Sequence, residues 1–326
     1  MMPLKTNRVG NTDVSVTSLS LGGASLGNLG RIVSDTDVTA VLRHAWLAGI
    51  RYFDTAPHYG RGLSERRMGD FLKDMPRDNY VLSTKVGRVL SPGPQLTEVD
   101  GFVEPLPNAV RYDYSAEGIL ESFESSCERL GTSRVEIVFV HDIGDYTHGA
   151  TNGARHMEDL LGSGLAMLQD LKQAGRIGAI GLGVNESQVC IDVMKQAPLD
   201  VILLAGRLTL LDREAESGLL DLCAQQGTSL VLGGIFNSGI LATGPKPGAW
   251  FDYAPASQEV LDKVTALQDG ANKVGLTLAE ASLQFALHHP AACSVLLGTG
   301  KVSSLQRNLD AADINLSDAA LAFVTT

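Results

Sequence analysis

Four titratable side chains lie at or just past the ends of short apolar runs in the sequence. Asp54 and Tyr59 lie in "FDTAPHYG", Lys85 lies in "YVLSTKVG" and His141 lies in "VEIVFVHD". The Lys85 ammonium has to be desolvated in such a run unless it is paired, and Asp54 is the obvious partner. These residues predict at least a buried ion pair, which is the simplest structural alternative to a catalytic role.

Tyr59 is the residue that would give this pair a chemical function. A phenol has an unperturbed pKa of about 10, too high for a base at neutral pH, but a cation within about 4 to 6 Å stabilises the phenolate. We expect Lys85 to lower the pKa of Tyr59, Asp54 to hold Lys85, and His141 to bind the substrate oxygen. Together these residues could make or break an O–H bond at a carbon that gains or loses hydride.

The elements that must position these residues are strands that alternate with helices. Apolar runs with little polar alternation are typical of strands buried on both faces of a parallel sheet. They span residues 16–23, 49–56, 79–87, 135–142, 177–185, 200–207, 229–236 and 293–300. Helical patterns fill the gaps and no linker divides the chain, so we predict one domain over residues 1–326, a (β/α)8 barrel, with a doubly wound open sheet as the alternative.

Two connecting segments are longer than a barrel needs. They span residues 88–114 and 143–157, and each follows a predicted strand. In a barrel both would rise from the carboxyl face, where long loops often act as lids. His148 lies in the second segment and is a candidate for substrate contact, whereas His58 is interpreted as a neighbour of Tyr59 only.

The composition excludes several other classes of partner. The formal net charge is -11 and no basic stripe occurs, so we expect a small-molecule partner and neither nucleic acid nor an anionic membrane. No apolar stretch reaches the roughly 18 residues of a membrane span, and the N-terminus has no apolar signal region. These features predict a soluble, cytoplasmic protein.

Neither the cysteines nor the histidines indicate a metal site or a disulfide framework. The cysteines lie far apart without a CxxC pair, and the histidines show no HExxH spacing. The cysteines are Cys127, Cys190, Cys223 and Cys293. We interpret them as free buried thiols in a reducing compartment and expect no metal.

The motifs "FDTAPHYG", "STK" and "VHD" resemble the signature of the aldo-keto reductases, which are NAD(P)-dependent (β/α)8 barrels with an Asp, Tyr, Lys and His tetrad. The resemblance runs from "RVGNTDVSVTSLSLGG", similar to the family's N-terminal β-hairpin and first strand, to "LLGTGKVSSLQRNLDA". It implies that the catalytic tetrad is Asp54, Tyr59, Lys85 and His141. We expect Tyr59 and His141 to contact substrate, together with His148 from the second long segment.

Further motifs are similar to one branch of that family. "VHDIGDYTHG", "AIGLGVNES", "LAGRLTLLDRE" and "GGIFNSGIL" resemble the D-threo-aldose (L-fucose, L-galactose) 1-dehydrogenases, a branch that also includes pyridoxal 4-dehydrogenase. The resemblance implies oxidation of the C1 hydroxyl of an aldose to the lactone. Pyridoxal oxidation and general aldehyde or ketone reduction remain alternatives, and Leu208 stands where this branch usually has tyrosine.

The resemblance also implies a set of cofactor-binding residues. It places the pyrophosphate at "GIFNSGIL", the adenosine at "GTGKVSSLQRN" and the nicotinamide amide at Asn185. The full set is Gly23, Ala24, Asp54, Asn185, Arg207, Phe236, Asn237, Ser238, Gly239, Leu241, Gly298, Thr299, Gly300, Ser304, Arg307 and Asn308. Gly298 and Ser304 occupy positions where the family often has lysine and arginine for a 2'-phosphate, so we expect NAD in preference to NADP.

The sequence is also compatible with two other kinds of barrel protein. A lysine at the end of a barrel strand can also serve as the nucleophile of a Schiff-base aldolase, which would give Lys85 a different role. A barrel of this superfamily can also act without turnover as a sensor of nicotinamide redox state, as the potassium-channel β-subunits do. The presence of the complete tetrad favours an enzyme.

Overall fold

The computed structural model describes residues 4–325, in which strands and helices alternate along the chain. The strands are β1 (Thr6–Arg8), β2 (Ser15–Thr17), β3 (Leu19–Gly22), β4 (Tyr52–Asp54), β5 (Val81–Val86), β6 (Arg88–Pro92), β7 (Glu98–Val99), β8 (Phe102–Val103), β9 (Asn108–Tyr112), β10 (Ile137–His141), β11 (Ala179–Val184), β12 (Val201–Ala205), β13 (Ser229–Gly233), β14 (Trp250–Phe251), β15 (Ala254–Pro255) and β16 (Ala292–Gly298).

The helices are α1 (Asp35–Leu47), α2 (Leu63–Leu72), α3 (Ala116–Leu130), α4 (Asp145–Asp159), α5 (Leu165–Gln173), α6 (Ser187–Met194), α7 (Leu219–Gln226), α8 (Ile240–Thr243), α9 (Gln258–Lys273), α10 (Leu278–His288), α11 (Val302–Ala312) and α12 (Asp318–Thr325). Short 3-10 turns cover Ala24–Gly27, Arg77–Asn79 and Glu214–Glu216, and one π-helical turn covers Leu160–Gly164.

Eight parallel strands close into a barrel in the order β3, β4, β5, β10, β11, β12, β13 and β16. The barrel closes because Val295 of β16 pairs with Leu19 of β3. Each apolar run predicted as a strand contributes one barrel strand, because the side chains of these runs are buried on both faces. The predicted (β/α)8 barrel is confirmed, and the open sheet is wrong.

The hydrophobic core has an inner and an outer part. The outer part lies between strands and helices, and the inner part fills the barrel with side chains such as Phe139, Val201 and Val231. Val9 and Val16 of the β1–β2 hairpin are fully buried in the inner part. The hairpin therefore packs against the amino-terminal end of the barrel and leaves the carboxyl end for a site.

The first long segment forms an antiparallel ribbon. Strands β6 and β9 pair from Arg88 opposite Tyr112 to Pro92 opposite Asn108, and β7 pairs with β8 nearer the tip. At the base of the ribbon the Asp113 N–H donates to the Gly87 carbonyl at 3.0 Å. The segment thus leaves the end of β5, which carries Lys85, and returns to the same place.

The expectation of a loop over residues 143–157 is wrong. Helix α4 occupies most of this segment, with non-helical dihedral angles at Gly149 (φ 67°, ψ 160°). The Glu186 carboxylate accepts a hydrogen bond from the backbone N–H of Tyr146 in the first turn, at 3.1 Å. A carboxylate supplied from a distant part of the chain thus stabilises the start of a helix that has few apolar residues.

Within residues 4–325, no helix combines the length and hydropathy that a membrane crossing requires. The same part of the chain contains no group of His, Cys, Asp and Glu side chains that could hold a metal ion. The four cysteines are free and buried.

Candidate active site

Asp54 and Lys85 form a buried ion pair at the carboxyl ends of neighbouring barrel strands. Lys85 Nζ donates to Asp54 Oδ2 at 2.7 Å, and the two side chains are 1% and 0% exposed. Ser83 Oγ donates to the other carboxylate oxygen at 2.7 Å. Both oxygens of Asp54 therefore have partners, as a buried carboxylate requires.

The rest of the Lys85 environment keeps its amine charged. Nζ also donates to the Thr55 carbonyl at 2.9 Å, and a side chain on Gly183 would lie 3.3 Å from Cε, so glycine leaves room for the lysine stem. Burial lowers the pKa of Lys85, but Asp54 and Tyr59 together raise it by more, so the net direction is upward. Lys85 is therefore an ammonium at neutral pH.

Tyr59 lies beside this pair, partly exposed at the barrel mouth. Lys85 Nζ lies 4.6 Å from the centre of its ring. The backbone of Tyr59 packs directly on Gly27, where an added Cβ would come within 2.5 Å of the Tyr59 carbonyl carbon. This close backbone contact with the turn after β3 fixes the height of the tyrosine above the barrel.

The expected net lowering of the pKa of Tyr59 is wrong. Burial raises this pKa, Lys85 lowers it, and Asp54 raises it again, so that the net direction is upward. Lys85 does stabilise the phenolate, but the partial removal of the Tyr59 side chain from water disfavours the charged form more strongly. Tyr59 is therefore a protonated phenol at neutral pH.

His141 is neutral and faces Tyr59 across the mouth. It is 5% exposed, and its ring centre lies 6.0 Å from that of Tyr59. Burial lowers the pKa of the ring well below its usual range, and the positive charges of Arg88 and Lys85 act in the same direction. Nδ1 is buried and has no hydrogen-bond partner within the described residues, whereas Nε2 lies 3.4 Å from Asp142 Oδ2.

His58, expected only as a neighbour of Tyr59, lies close to this centre, and so do Arg88 and Asp142, which sequence reasoning missed. The His58 ring lies 5.7 Å from His141 and 5.1 Å from Phe102, and burial lowers its pKa to about 2. Arg88 Nη2 lies 2.5 Å from Asp142 Oδ2, next to His141. These residues lie next to Tyr59, Lys85 and His141 in the sequence, and this proximity is the signal that could have identified them.

His148 lies farther out than expected for a direct partner of the reacting atoms. Its Nε2 lies 2.9 Å from the Tyr114 hydroxyl, which donates to the His141 carbonyl at 2.7 Å. Its ring also packs on Tyr112 and His156, with centres 4.7 and 4.6 Å away. The Tyr114 hydroxyl thus connects His148 to the backbone of His141.

The loop after β13 holds the residues expected to bind the pyrophosphate. Asn237, Ser238 and Gly239 have positive φ angles of 42°, 55° and 92°. The Asn237 amide donates to the Gly206 carbonyl at 3.0 Å and accepts from Thr209 Oγ1 at 2.6 Å, which fixes the loop against the preceding one. Phe236 is partly buried, and Leu241 is fully buried in the outer core.

Arg207 connects the expected nicotinamide region to the β14–β15 hairpin. Its Nη2 donates to both oxygens of Asp252 at 2.8 and 2.9 Å, and its Nε donates to the Asn185 carbonyl at 2.8 Å. The Asn185 amide in turn donates to the Tyr253 hydroxyl at 3.3 Å. These contacts make Arg207 a support for Asn185.

The expected adenosine region lies at the start of α11. Ser304 accepts a hydrogen bond from Arg307 Nη2 at 3.0 Å, and Thr299 Oγ1 accepts from the Lys301 N–H at 3.1 Å. The Gly300 carbonyl accepts from Arg31 Nη2 at 3.1 Å, a cation that sequence reasoning missed. Asn308 lies partly buried in α11.

The remaining predicted residues lie in the first βα turn and after β12. The Gly23 N–H donates to the Asp54 carbonyl at 2.7 Å, and Ala24 begins the 3-10 turn that leads to Gly27. Leu208 is 1% exposed and belongs to the outer core, so its side chain does not line the mouth.

These residues fit a dinucleotide that spans the carboxyl face. Added Cβ atoms on Gly239 and Gly298 would have no atom within 4 Å, so open space adjoins the backbone in both the expected pyrophosphate region and the expected adenosine region. Asn185 presents an amide on the same face, near Tyr253. Asn185 and the two glycines are therefore the features of this face that fit a bound dinucleotide.

Comparisons with known proteins agree with this geometry. Residues 18–325 match the profile of the Aldo/keto reductase family. The chain is 40% identical to pyridoxal 4-dehydrogenase of Microbacterium luteolum, over 92% of this chain and 91% of that protein. It is 36% identical to D-threo-aldose 1-dehydrogenase of a Pseudomonas species, over 93% of this chain and 91% of that protein.

A third relative and a solved structure extend the comparison. L-galactose dehydrogenase of Arabidopsis thaliana is 30% identical, over 95% of this chain and 89% of that protein. The holo form of an aldo-keto reductase from Bacillus halodurans superposes with a TM-score of 0.78 at 24% identity, over 98% of this chain and 95% of that one, which supports the fold. The chain belongs to the aldo/keto reductase family, whose members are nicotinamide-dependent oxidoreductases acting on alcohol and carbonyl groups.

Proposed function

We propose that this enzyme oxidises the C1 hydroxyl of an aldose to the lactone and transfers the hydride to NAD. The observation that carries the proposal is the group formed by Asp54, Lys85, Tyr59 and His141 at the barrel mouth. The centre of the Tyr59 ring lies 4.6 Å from Lys85 Nζ and 6.0 Å from the centre of the His141 ring. A nicotinamide ring, when bound, supplies the hydride acceptor.

The residues of the chain supply proton transfer and orientation. Tyr59 accepts the proton of the C1 hydroxyl, and Lys85 stabilises the phenolate that this step requires. Asp54 holds the Lys85 ammonium in place through the 2.7 Å contact. His141, being neutral, orients the substrate oxygen by a hydrogen bond without changing the charge of the site.

Exposed aromatic side chains and the names of the relatives support the proposed substrate class. Aromatic side chains on segments that follow barrel strands remain exposed, including Tyr112, Tyr146 and Trp250. Aromatic faces can stack on the apolar face of a pyranose, and two of the relatives described above are named for aldose or galactose oxidation. The second candidate substrate is pyridoxal, favoured by the 40% identity to pyridoxal 4-dehydrogenase.

NAD is the proposed cofactor in preference to NADP. Ser304 supplies a hydroxyl where a cation would pair with a 2'-phosphate, and its Oγ is already bonded to Arg307. A doubly charged phosphate is held best by bidentate arginine contacts. Arg31, Lys301 and Arg307 lie on this side of the site but are exposed, so solvent and salt screen their attraction.

The geometry argues against a Schiff-base aldolase. A nucleophilic lysine has to be an uncharged amine, and desolvation has to lower its pKa. Lys85 instead donates to a carboxylate and a carbonyl, and the net direction of its pKa is upward. Its role is therefore electrostatic.

The test is a substrate panel read at the absorbance of reduced nicotinamide. L-fucose, L-galactose, D-arabinose, pyridoxal and simple aldehydes are assayed with NAD and NADP in both directions. The proposal expects the highest kcat/KM for an aldose with NAD. Preference for pyridoxal would establish the second candidate, and preference for carbonyl reduction alone would reject both.

A further inference from the structure

The residues Arg88, Asp142 and His141 form a charged row at the mouth of the barrel. One oxygen of Asp142, Oδ2, lies 2.5 Å from Arg88 Nη2 and 3.4 Å from His141 Nε2. The Arg88 side chain is 4% exposed and that of Asp142 is 17% exposed. A single carboxylate oxygen therefore faces a guanidinium on one side and an imidazole on the other.

This row has features that stability alone does not explain. Asp142 has a φ of 46°, a backbone conformation that non-glycine residues adopt at a cost. Arg88 Nε is buried and has no hydrogen-bond partner within the described residues. Strain and an unsatisfied donor at one place, directly beside the proposed catalytic histidine, point to a functional constraint on Asp142 and Arg88.

The two nitrogens of His141 have different surroundings. Nδ1 is buried without a partner, and Nε2 lies near the Asp142 carboxylate. A buried N–H without an acceptor is less favourable than a lone pair without a donor. The proton of the neutral ring therefore belongs on Nε2, near the negative oxygen of Asp142. At 3.4 Å this contact is longer than a normal N–H···O hydrogen bond, so the Nε2–H can still donate to a substrate oxygen.

The same carboxylate would charge the ring if Arg88 were absent. A buried carboxylate close to an imidazole favours the imidazolium form, whereas a carboxylate already paired with a guanidinium contributes little net charge. The other groups around His141 are Lys85, His58, Tyr59 and Tyr114. Of these, Lys85 also opposes a charge on the ring, and Asp54 offsets Lys85.

We propose that Arg88 and Asp142 are positioning residues that keep His141 neutral and place its proton on Nε2. Asp142 selects the tautomer, and Arg88 prevents Asp142 from drawing a second proton onto the ring. The inference rests on the proposed function, because it assigns His141 the role of a neutral hydrogen-bond donor to the substrate oxygen. Tyr59 is then the residue through which the proton is transferred.

The test measures the ring nitrogens of His141 directly, without turnover. The full chain labelled with 15N-histidine is titrated by NMR from about pH 8 to about pH 5, with and without NAD, and His141→Gln identifies the signals. The wild type is expected to stay neutral with the proton on Nε2. Arg88→Met is expected to raise the pKa of His141 so far that the ring titrates within this pH range, and Arg88→Met combined with Asp142→Asn is expected to remove that titration from the range again.

Matched variants separate this effect from a general loss of structure. Arg111→Met removes an exposed arginine from the same ribbon and is expected to leave the His141 titration unchanged. Arg88→Lys keeps the charge and is expected to leave His141 neutral, even if Arg88→Met fails to fold. A proton on Nδ1 in the wild type would overturn the proposal. The proposal would also be overturned if His141 titrated in the Asp142→Asn variant in the same way as in Arg88→Met.

The kinetic readout distinguishes this proposal from the proposed function. In Arg88→Met, kcat/KM is expected to fall by about tenfold or more below the new pKa of His141 and to recover above it. If His141 titrates as expected in these variants but the protein turns over none of the substrates, the proposed function alone is rejected. Normal turnover with an unshifted His141 in Arg88→Met would reject the positioning role alone.

Discussion

Lys85 holds its ammonium 4.6 Å from the centre of the Tyr59 ring, yet the pKa of that tyrosine is raised. Burial outweighs the favourable charge, so the resting site holds a protonated phenol next to a cation. This arrangement is ready to donate a proton to a carbonyl oxygen, and it needs the loss of the phenol proton before it can remove one from an alcohol.

Replacement of Tyr59 tests its place in the chemistry. Tyr59→Phe keeps the backbone on Gly27 and the ring beside Lys85 but removes the hydroxyl, so kcat is expected to fall by about 10²-fold to 10⁴-fold. Cofactor affinity, measured by fluorescence titration with NAD, is expected to stay within about twofold, because the removed group contacts the substrate. Retention of wild-type kcat would remove Tyr59 from the mechanism.

The direction of the Tyr59 pKa shift predicts an asymmetric pH dependence. Oxidation requires the phenolate, so kcat for oxidation is expected to rise by about tenfold per pH unit from neutral pH toward the raised pKa. Reduction uses the phenol and is expected to change little over the same range. Rates in both directions from about pH 6 to about pH 10 check this, and parallel profiles would contradict it.

A double variant separates the contribution of the Lys85–Asp54 ion pair to stability from its contribution to activity. Lys85→Met leaves the Asp54 carboxylate buried without its cation and is expected to reduce the free energy of unfolding by about 3 to 5 kcal/mol. Lys85→Met combined with Asp54→Asn is expected to recover most of that loss, because no buried charge remains. Activity is expected to stay low in both variants, and kcat is measured together with the free energy of unfolding in urea. Recovery of kcat in the double variant would contradict the electrostatic role of Lys85.

The sequence predicted those parts of the site that local pattern and charge pairing determine. Nearly continuous apolar runs located the barrel strands, and a lysine in such a run required a partner, which is Asp54. Helix α4 could not be predicted, because its first turn depends on Glu186 from a distant segment. The net direction of the Tyr59 pKa shift depends on how deeply the ring is buried, which cannot be read from the local sequence pattern.

The cofactor preference can be tested on two adjacent serines of α11. Ser304→Arg places a guanidinium at the position proposed to lie near the adenosine ribose, and we expect it to raise the ratio of kcat/KM for NADP over NAD by about tenfold. Ser303→Arg adds the same charge at an exposed neighbouring position and serves as the control. An equal change in both variants would show that only the overall charge of this surface matters.

The backbone contact between Gly27 and Tyr59 predicts an effect on catalysis from a residue without a side chain. A Cβ on Gly27 would meet the Tyr59 carbonyl oxygen at 2.6 Å, so Gly27→Ala has to displace the tyrosine backbone. A displacement of about 1 Å is expected to lower kcat by about 10²-fold. Gly162→Ala, where a Cβ would meet no atom within 4 Å, is the matched control and is expected to keep wild-type kcat.

The β6–β9 ribbon leaves and rejoins the barrel at one junction, where the Asp113 N–H and the Gly87 carbonyl are 3.0 Å apart. The free energy of closing a loop grows slowly with its length, so the junction tolerates ribbons of different lengths and sequences. Beyond the paired residues Arg88 and Tyr112 at its base, the ribbon can diverge where it does not contact the site, while Phe102 packs on His58 and the barrel fixes Asp54 and Lys85. We therefore expect that changes in those parts of the ribbon alter which molecules enter the mouth without altering the reaction, and that a ribbon grafted from a relative shifts the substrate range toward that of the relative.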